Sequence, residues 1–117
     1  MNILLIGLGG FLGAISRYLL NELLTKYIPT NFPLGILIIN ILGCLFIGLV
    51  LGNSMLTKDH LYYLVTIGFL GSFTTMSAFS YQAIELFNTN ILIACSYIIL
   101  TLTLTILATY IGINFSK

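Results

Sequence analysis

Charge is what this sequence has least of. Four basic and three acidic residues serve 117 positions, only 6% of the chain. Soluble domains carry about 25%, so too few hydrated groups are present to cover a water-facing surface. The net charge of +1, with no basic patch, excludes recruitment of nucleic acid. Cysteine is equally scarce. Cys44 and Cys95 both stand in apolar runs, which predicts buried free thiols rather than a disulfide or metal site. The single histidine, His60, has no cysteine or second histidine beside it, so nothing suggests a zinc-type centre. The opening MNILLIGLGG lacks the basic flank of a secretory signal and reads as the start of a retained helix. No nucleophile–base pair or phosphate loop is present, which leaves an enzyme without machinery.

What remains is apolar. Hydrophobic residues make up 59% of the chain, and its mean hydropathy is +1.12. The chain is an integral membrane protein. Four apolar stretches, roughly 3–25, 34–52, 61–86 and 91–113, each approach the length a membrane-spanning helix needs. KYIPTNFP, with both prolines, ends the first; GNSMLTKDH ends the second and FNTN the third. The expected fold is all-α, a single four-helix transmembrane domain over residues 1–117. Lys58 and Lys117 fall on one side of such a bundle and Lys26 on the other, almost no positive-inside bias. A chain so undecided can insert either way round, which permits an antiparallel dimer. Gly9, Gly10, Gly13, Ala14, Gly43, Gly48, Gly68 and Gly71 suggest close helix contacts.

Polar groups at membrane depth are costly without partners, and this chain has several. Arg17 stands some fifteen residues into the first span; it faces a cavity, ion path or partner, or it snorkels to the interface. Glu22, five residues on, lies on another face. Asn40 is set among isoleucines in LIINILG, where it serves either a helix-to-helix hydrogen bond or an anion. Tyr97, Thr101, Thr105 and Thr109 recur at i+4 and form one stripe, although any one threonine can bond the carbonyl four residues back. The segment GSFTTMSAFS, 71–80, carries five hydroxyls and is poor helix material, so the third span is expected to break near mid-membrane. Freed carbonyls at such a break can hold a small cation, and the edge of Phe79 can face an anion. Hydroxyls, an amide and ring edges, with no interior carboxylate, suit an anion path.

GGFLGAISRY at 9–18, GILIINILG at 35–43 and GFLGSFTTMSAFS at 68–80 resemble the signature stretches of the small bacterial fluoride channels, the Fluc or CrcB family. The resemblance implies a multi-pass protein of the bacterial inner membrane. It implies an antiparallel dual-topology dimer that exports fluoride passively through two pores, with a structural Na+ at the interface. On that basis Asn40, Met76, Ser77, Phe79, Tyr97, Thr101 and Thr105 correspond to the fluoride pore. Gly71 and Thr74 correspond to the sodium carbonyl ligands, and Arg17 to the helix-one arginine. The chain departs from the pattern at Met76, where a phenylalanine is usual, and at Ala78, Ser72, Ile36 and Gln82, where threonine, glycine, threonine and glutamate are usual. The missing ring at Met76 leaves two arrangements open, a homodimer or a heterodimer whose partner supplies it. A small dual-topology multidrug exporter would need a carboxylate in helix one, where this chain has Arg17. A non-transporting subunit would account for the glycines but not for Asn40 or the hydroxyl stripe.

Overall fold

The computed structural model describes residues 2–28, 32–52 and 60–116. Pro29, Lys58 and Lys117, used above for the loops and the orientation, lie outside the described residues. Helix α1 spans Asn2–Tyr27 and α2 spans Leu34–Gly52. The third span is built in pieces: a wide-turned π-helical segment π1 (Tyr62–Leu70), a single turn α3 (Gly71–Phe73) and α4 (Met76–Thr89). Helix α5 (Ile91–Ser116) completes the chain. All four spans are long and apolar enough to cross a membrane. The long axis of 45 Å matches a bilayer with its headgroups, about 40–45 Å.

The ends of the helices follow local chemistry. Lys26 stands in the last turn of α1, where a cation meets the negative end of the helix dipole. Asn90 closes α4 by donating its amide to the Leu86 carbonyl at 2.7 Å. Its side-chain oxygen then accepts from the Leu92 amide at 3.0 Å and opens α5.

Packing is pairwise, α2 with α5 and α1 with π1. Glycine makes both contacts close. A Cβ at Gly112 would lie 2.5 Å from the Leu45 carbonyl oxygen and 2.8 Å from the Leu49 nitrogen of α2. One at Gly68 would lie 2.7 Å from the Ile6 carbonyl oxygen and 2.9 Å from the Gly9 Cα of α1. No side chain larger than hydrogen fits either crossing. Around Gly71, by contrast, the nearest atom to such a Cβ is Thr66 O at 3.8 Å, so Gly71 is not a close-packing glycine within the chain.

One buried cluster consists of Ile36, Leu37, Phe79, Ala83 and Tyr97, with Phe32, Leu34 and Leu86 packed against it; Ile39, Leu70, Phe73, Ala94 and Ala108 are buried as well. Most large apolar side chains point outward, Ile3 at 83% exposed and Leu92 at 75% among them. Lipid or a second protein surface must cover these faces. Cys95 corrects an expectation: it is exposed, because it stands on the face of α5 turned away from the core, whereas Cys44 is half-buried.

Candidate functional site

The third span breaks at Thr74 and Thr75. Both residues leave the helical conformation, with φ/ψ of −77°/156° and −148°/119°. A break exposes backbone groups that lipid cannot satisfy. Side chains of the first two helices meet them here. Asn40 of α2 accepts the Thr75 amide on Oδ1 at 2.8 Å and donates through Nδ2 to the Thr75 carbonyl at 3.2 Å. Arg17 of α1 donates Nε to the Ser72 carbonyl at 3.2 Å. The Ser72 hydroxyl donates to the Gly10 carbonyl at 3.0 Å.

Hydroxyls within the segment complete the repair. Thr74 Oγ1 donates to the Leu70 carbonyl at 3.2 Å. Thr75 Oγ1 caps α4 by accepting the Ala78 amide at 3.1 Å and lies 3.3 Å from the Ser77 hydroxyl. The hydroxyl density of 71–80 is therefore tied to the break for Ser72, Thr74, Thr75 and Ser77, while Ser80 is exposed.

Two of these bonds have a consequence for carbonyls. In a continuous helix the Gly71 carbonyl receives the Thr75 amide and the Thr74 carbonyl receives the Ala78 amide. The first amide is turned to Asn40 and the second to Thr75 Oγ1. Gly71 and Thr74 thus lose their helical donors, and Gly71 stands on the exposed surface of the chain.

The other sequence-marked residues divide into two groups. Phe79, 9% exposed, packs on Tyr97 with ring centroids 5.1 Å apart and planes at 49°. Tyr97 is wholly buried, and its hydroxyl donates to Gln82 Oε1 at 3.4 Å. One turn on, Thr101 is buried and its hydroxyl has no partner. Thr105 and Thr109 satisfy themselves through the carbonyls of Thr101 and Thr105 at 2.6 and 3.1 Å, and Thr109 also reaches Cys44 O of α2. Met76, 70% exposed, and Ser77 lie outside this group on the open face of α4. The stripe of α5 is therefore chemically uneven, with Thr101 as its open position.

Sequence reasoning missed two residues. Thr66 of π1 is the second buried hydroxyl without a partner. Phe32 sets its ring 5.5 Å from Tyr97 at 86°. The FP pair at 32–33 was legible only as a loop marker. Among the described residues the buried polar side chains are Asn40, Thr66 and Thr101, all neutral. No group of three or more potential metal ligands from His, Cys, Asp and Glu occurs among them.

The family model that matches residues 4–113 is described as CrcB-like protein, Camphor Resistance (CrcB). A Clostridium novyi (strain NT) protein named fluoride-specific ion channel FluC is 41% identical over 113 residues, covering 93% of this chain and 88% of that one. A Dehalococcoides mccartyi (strain CBDB1) protein of the same name is 42% identical over 114 residues, 94% of this chain and 88% of its own. One from Flavobacterium psychrophilum, also so named, is 40% identical over 116 residues, covering 96% and 94%.

Proposed function

Because the chain belongs to the CrcB-like family, we propose that it is a passive, fluoride-selective channel of a bacterial plasma membrane. It works as an antiparallel dual-topology homodimer with two pores and a structural sodium ion at the interface, each subunit one four-helix domain over 1–117. The observation that carries the reading is the supply of neutral donors inside the span. The Thr101 hydroxyl is buried without a partner, and Asn40 keeps one amide hydrogen beyond its pair with Thr75.

Fluoride holds its water tightly, so a dry path must replace that water with dense hydrogen bonds. Hydroxyl and amide donors do so without a fixed positive charge that would trap the ion. Buried carboxylates, which would repel an anion, do not occur among the described residues. Phe79 and Tyr97 wall the path with ring edges, and Thr105 continues it along α5. Arg17 contributes by holding the Ser72 carbonyl at the break.

Met76 and Ser77 point away from their own chain's core, so a pore that includes them needs a second copy as its other wall. The sodium assignment is supported by the diverted amides. The Gly71 and Thr74 carbonyls are hard oxygen donors without their helical partners, suited to a small monovalent cation. Bound there, the ion would supply positive charge to satisfy carbonyls from both subunits.

The test is fluoride release from liposomes loaded with potassium fluoride, with a potassium ionophore added and a chloride-loaded control. Purified alone, the protein should release fluoride fast and chloride slowly. Folded, inserted protein that releases neither would overturn the homomeric reading and favour a heterodimer in which a partner supplies the ring absent at Met76.

A further inference from the structure

Between the ends of α1, α2 and α4 lies a cavity of about 600 Å³. Polar residues Asn21, Thr25, Gln82 and Glu85 border it, as does Phe32. Tyr97 does not. Its buried ring is separated from the cavity by two neighbours that do line it: Gln82, which accepts its hydroxyl, and Phe32, which stands edge-to-face against it. Phe79 contacts the same ring but does not border the cavity.

The position of Phe32 is built into the backbone. Pro33 disfavours the helical conformation in the residue before it, so Phe32 stands in a bend just ahead of α2. Its carbonyl accepts the Leu34 amide at 2.7 Å, and the Pro33 carbonyl accepts the Leu37 amide at 3.3 Å, tying the dipeptide to the first turn of α2. The ring is thereby delivered to one place, half-buried, with the core on one side and the cavity on the other.

We propose that Phe32 is a positioning residue for conduction, holding the Tyr97 ring so that its hydroxyl stays on Gln82 where the cavity meets the core. The inference rests on the fluoride-channel reading. With the tyrosine hydroxyl on Gln82 Oε1 at 3.4 Å, the Gln82 amide hydrogens are left as donors to an anion that has passed the exposed Glu85 carboxylate in the cavity. A ring free to rock would break that bond and turn the acceptor oxygen toward the anion. An aromatic side chain at 32 is required because the constraint is a ring-on-ring geometry, which an aliphatic group of similar bulk does not impose.

The experiment compares wild type, Phe32→Leu and Phe32→Tyr in the liposome fluoride assay. In parallel, the protein is labelled with 3-fluorotyrosine, and the Tyr97 fluorine resonance is identified by its loss in Tyr97→Phe. Phe32→Leu should lower fluoride release about tenfold and move the Tyr97 resonance while the protein stays monodisperse. Phe32→Tyr should release fluoride within about twofold of wild type. Unchanged release in Phe32→Leu, slower release with an unmoved Tyr97 resonance, or a Phe32→Tyr as slow as Phe32→Leu would each overturn the proposal. Should Phe32→Leu not fold, Phe32→Met is read by the same criteria. A wild type that releases no fluoride sinks the channel reading, and that failure is visible before any substitution is compared.

Discussion

Replacing Asn40 by aspartate changes one atom type at the centre of the break. Asn40 is 7% exposed and holds Thr75 by both its amide and its carbonyl. In Asn40→Asp the Thr75 amide keeps its acceptor, but the Thr75 carbonyl loses its donor and faces a second oxygen. A buried acceptor left so costs about 1–3 kcal/mol, and burying the carboxylate charge itself costs several kcal/mol more. The effect on an anion is a separate one. A carboxylate about 4 Å from a fluoride ion repels it by about 4 kcal/mol at an effective dielectric constant near 20. At about 1.4 kcal/mol for each tenfold, release should fall by nearly three powers of ten. The assay is fluoride efflux, with thermal unfolding and size-exclusion profiles of the same preparation to establish folding. Asn40→Ala separates the two contributions, since it removes both bonds to Thr75 and buries no charge; it should lose less conduction than Asn40→Asp. A folded Asn40→Asp that releases fluoride at more than about a third of the wild-type rate would refute the reasoning and take Asn40 out of the pore.

Other substitutions probe the packing and the stripe. Gly112→Leu drives a side chain into the Leu45 carbonyl and Leu49 amide, so it should cost upwards of about 1–3 kcal/mol and lower the unfolding temperature or abolish monodisperse protein. Thr101→Val removes a hydroxyl that has no partner, so stability should hold or rise by about 1 kcal/mol while fluoride efflux falls; unchanged efflux would place Thr101 outside the path. Gly71→Ala leaves the single chain room, so helicity by circular dichroism should be preserved while chemical cross-linking reports a weakened dimer. An intact, fully active Gly71→Ala dimer would remove Gly71 from the close-packed part of the interface.

Span number and placement were readable because apolar length is a crude signal that membranes enforce strongly. The second span starts at Leu34 as expected, since a proline precedes it. The others run longer than hydropathy suggests, α5 to Ser116, because a helix continues while its own hydrogen bonds last, whatever the polarity of its end. The break was legible as well, since two adjacent threonines after a glycine resist helix. What periodicity could not reveal is the partner of each group. Asn40 was open between helix bonding and anion binding; the fold engages its oxygen and one of its hydrogens at Thr75 and leaves the other hydrogen. The wide π turns of Tyr62–Leu70 have no counterpart in YYLVTIGFL, whose residues suit an ordinary helix. Phe32 was invisible for a different reason: its ring contact with Tyr97 spans 65 positions, and no local pattern encodes it.

The stitching of the broken span has a direction along the chain. Gly10, Arg17 and Asn40 are the groups on other helices that satisfy residues 72–75, and all three precede the break. The third span is also the least apolar of the four. A chain made from its amino terminus therefore carries the acceptor, the cation and the amide into the bilayer before the segment that depends on them emerges. Order of synthesis and order of need coincide, and the weakest span enters a membrane already furnished with its partners.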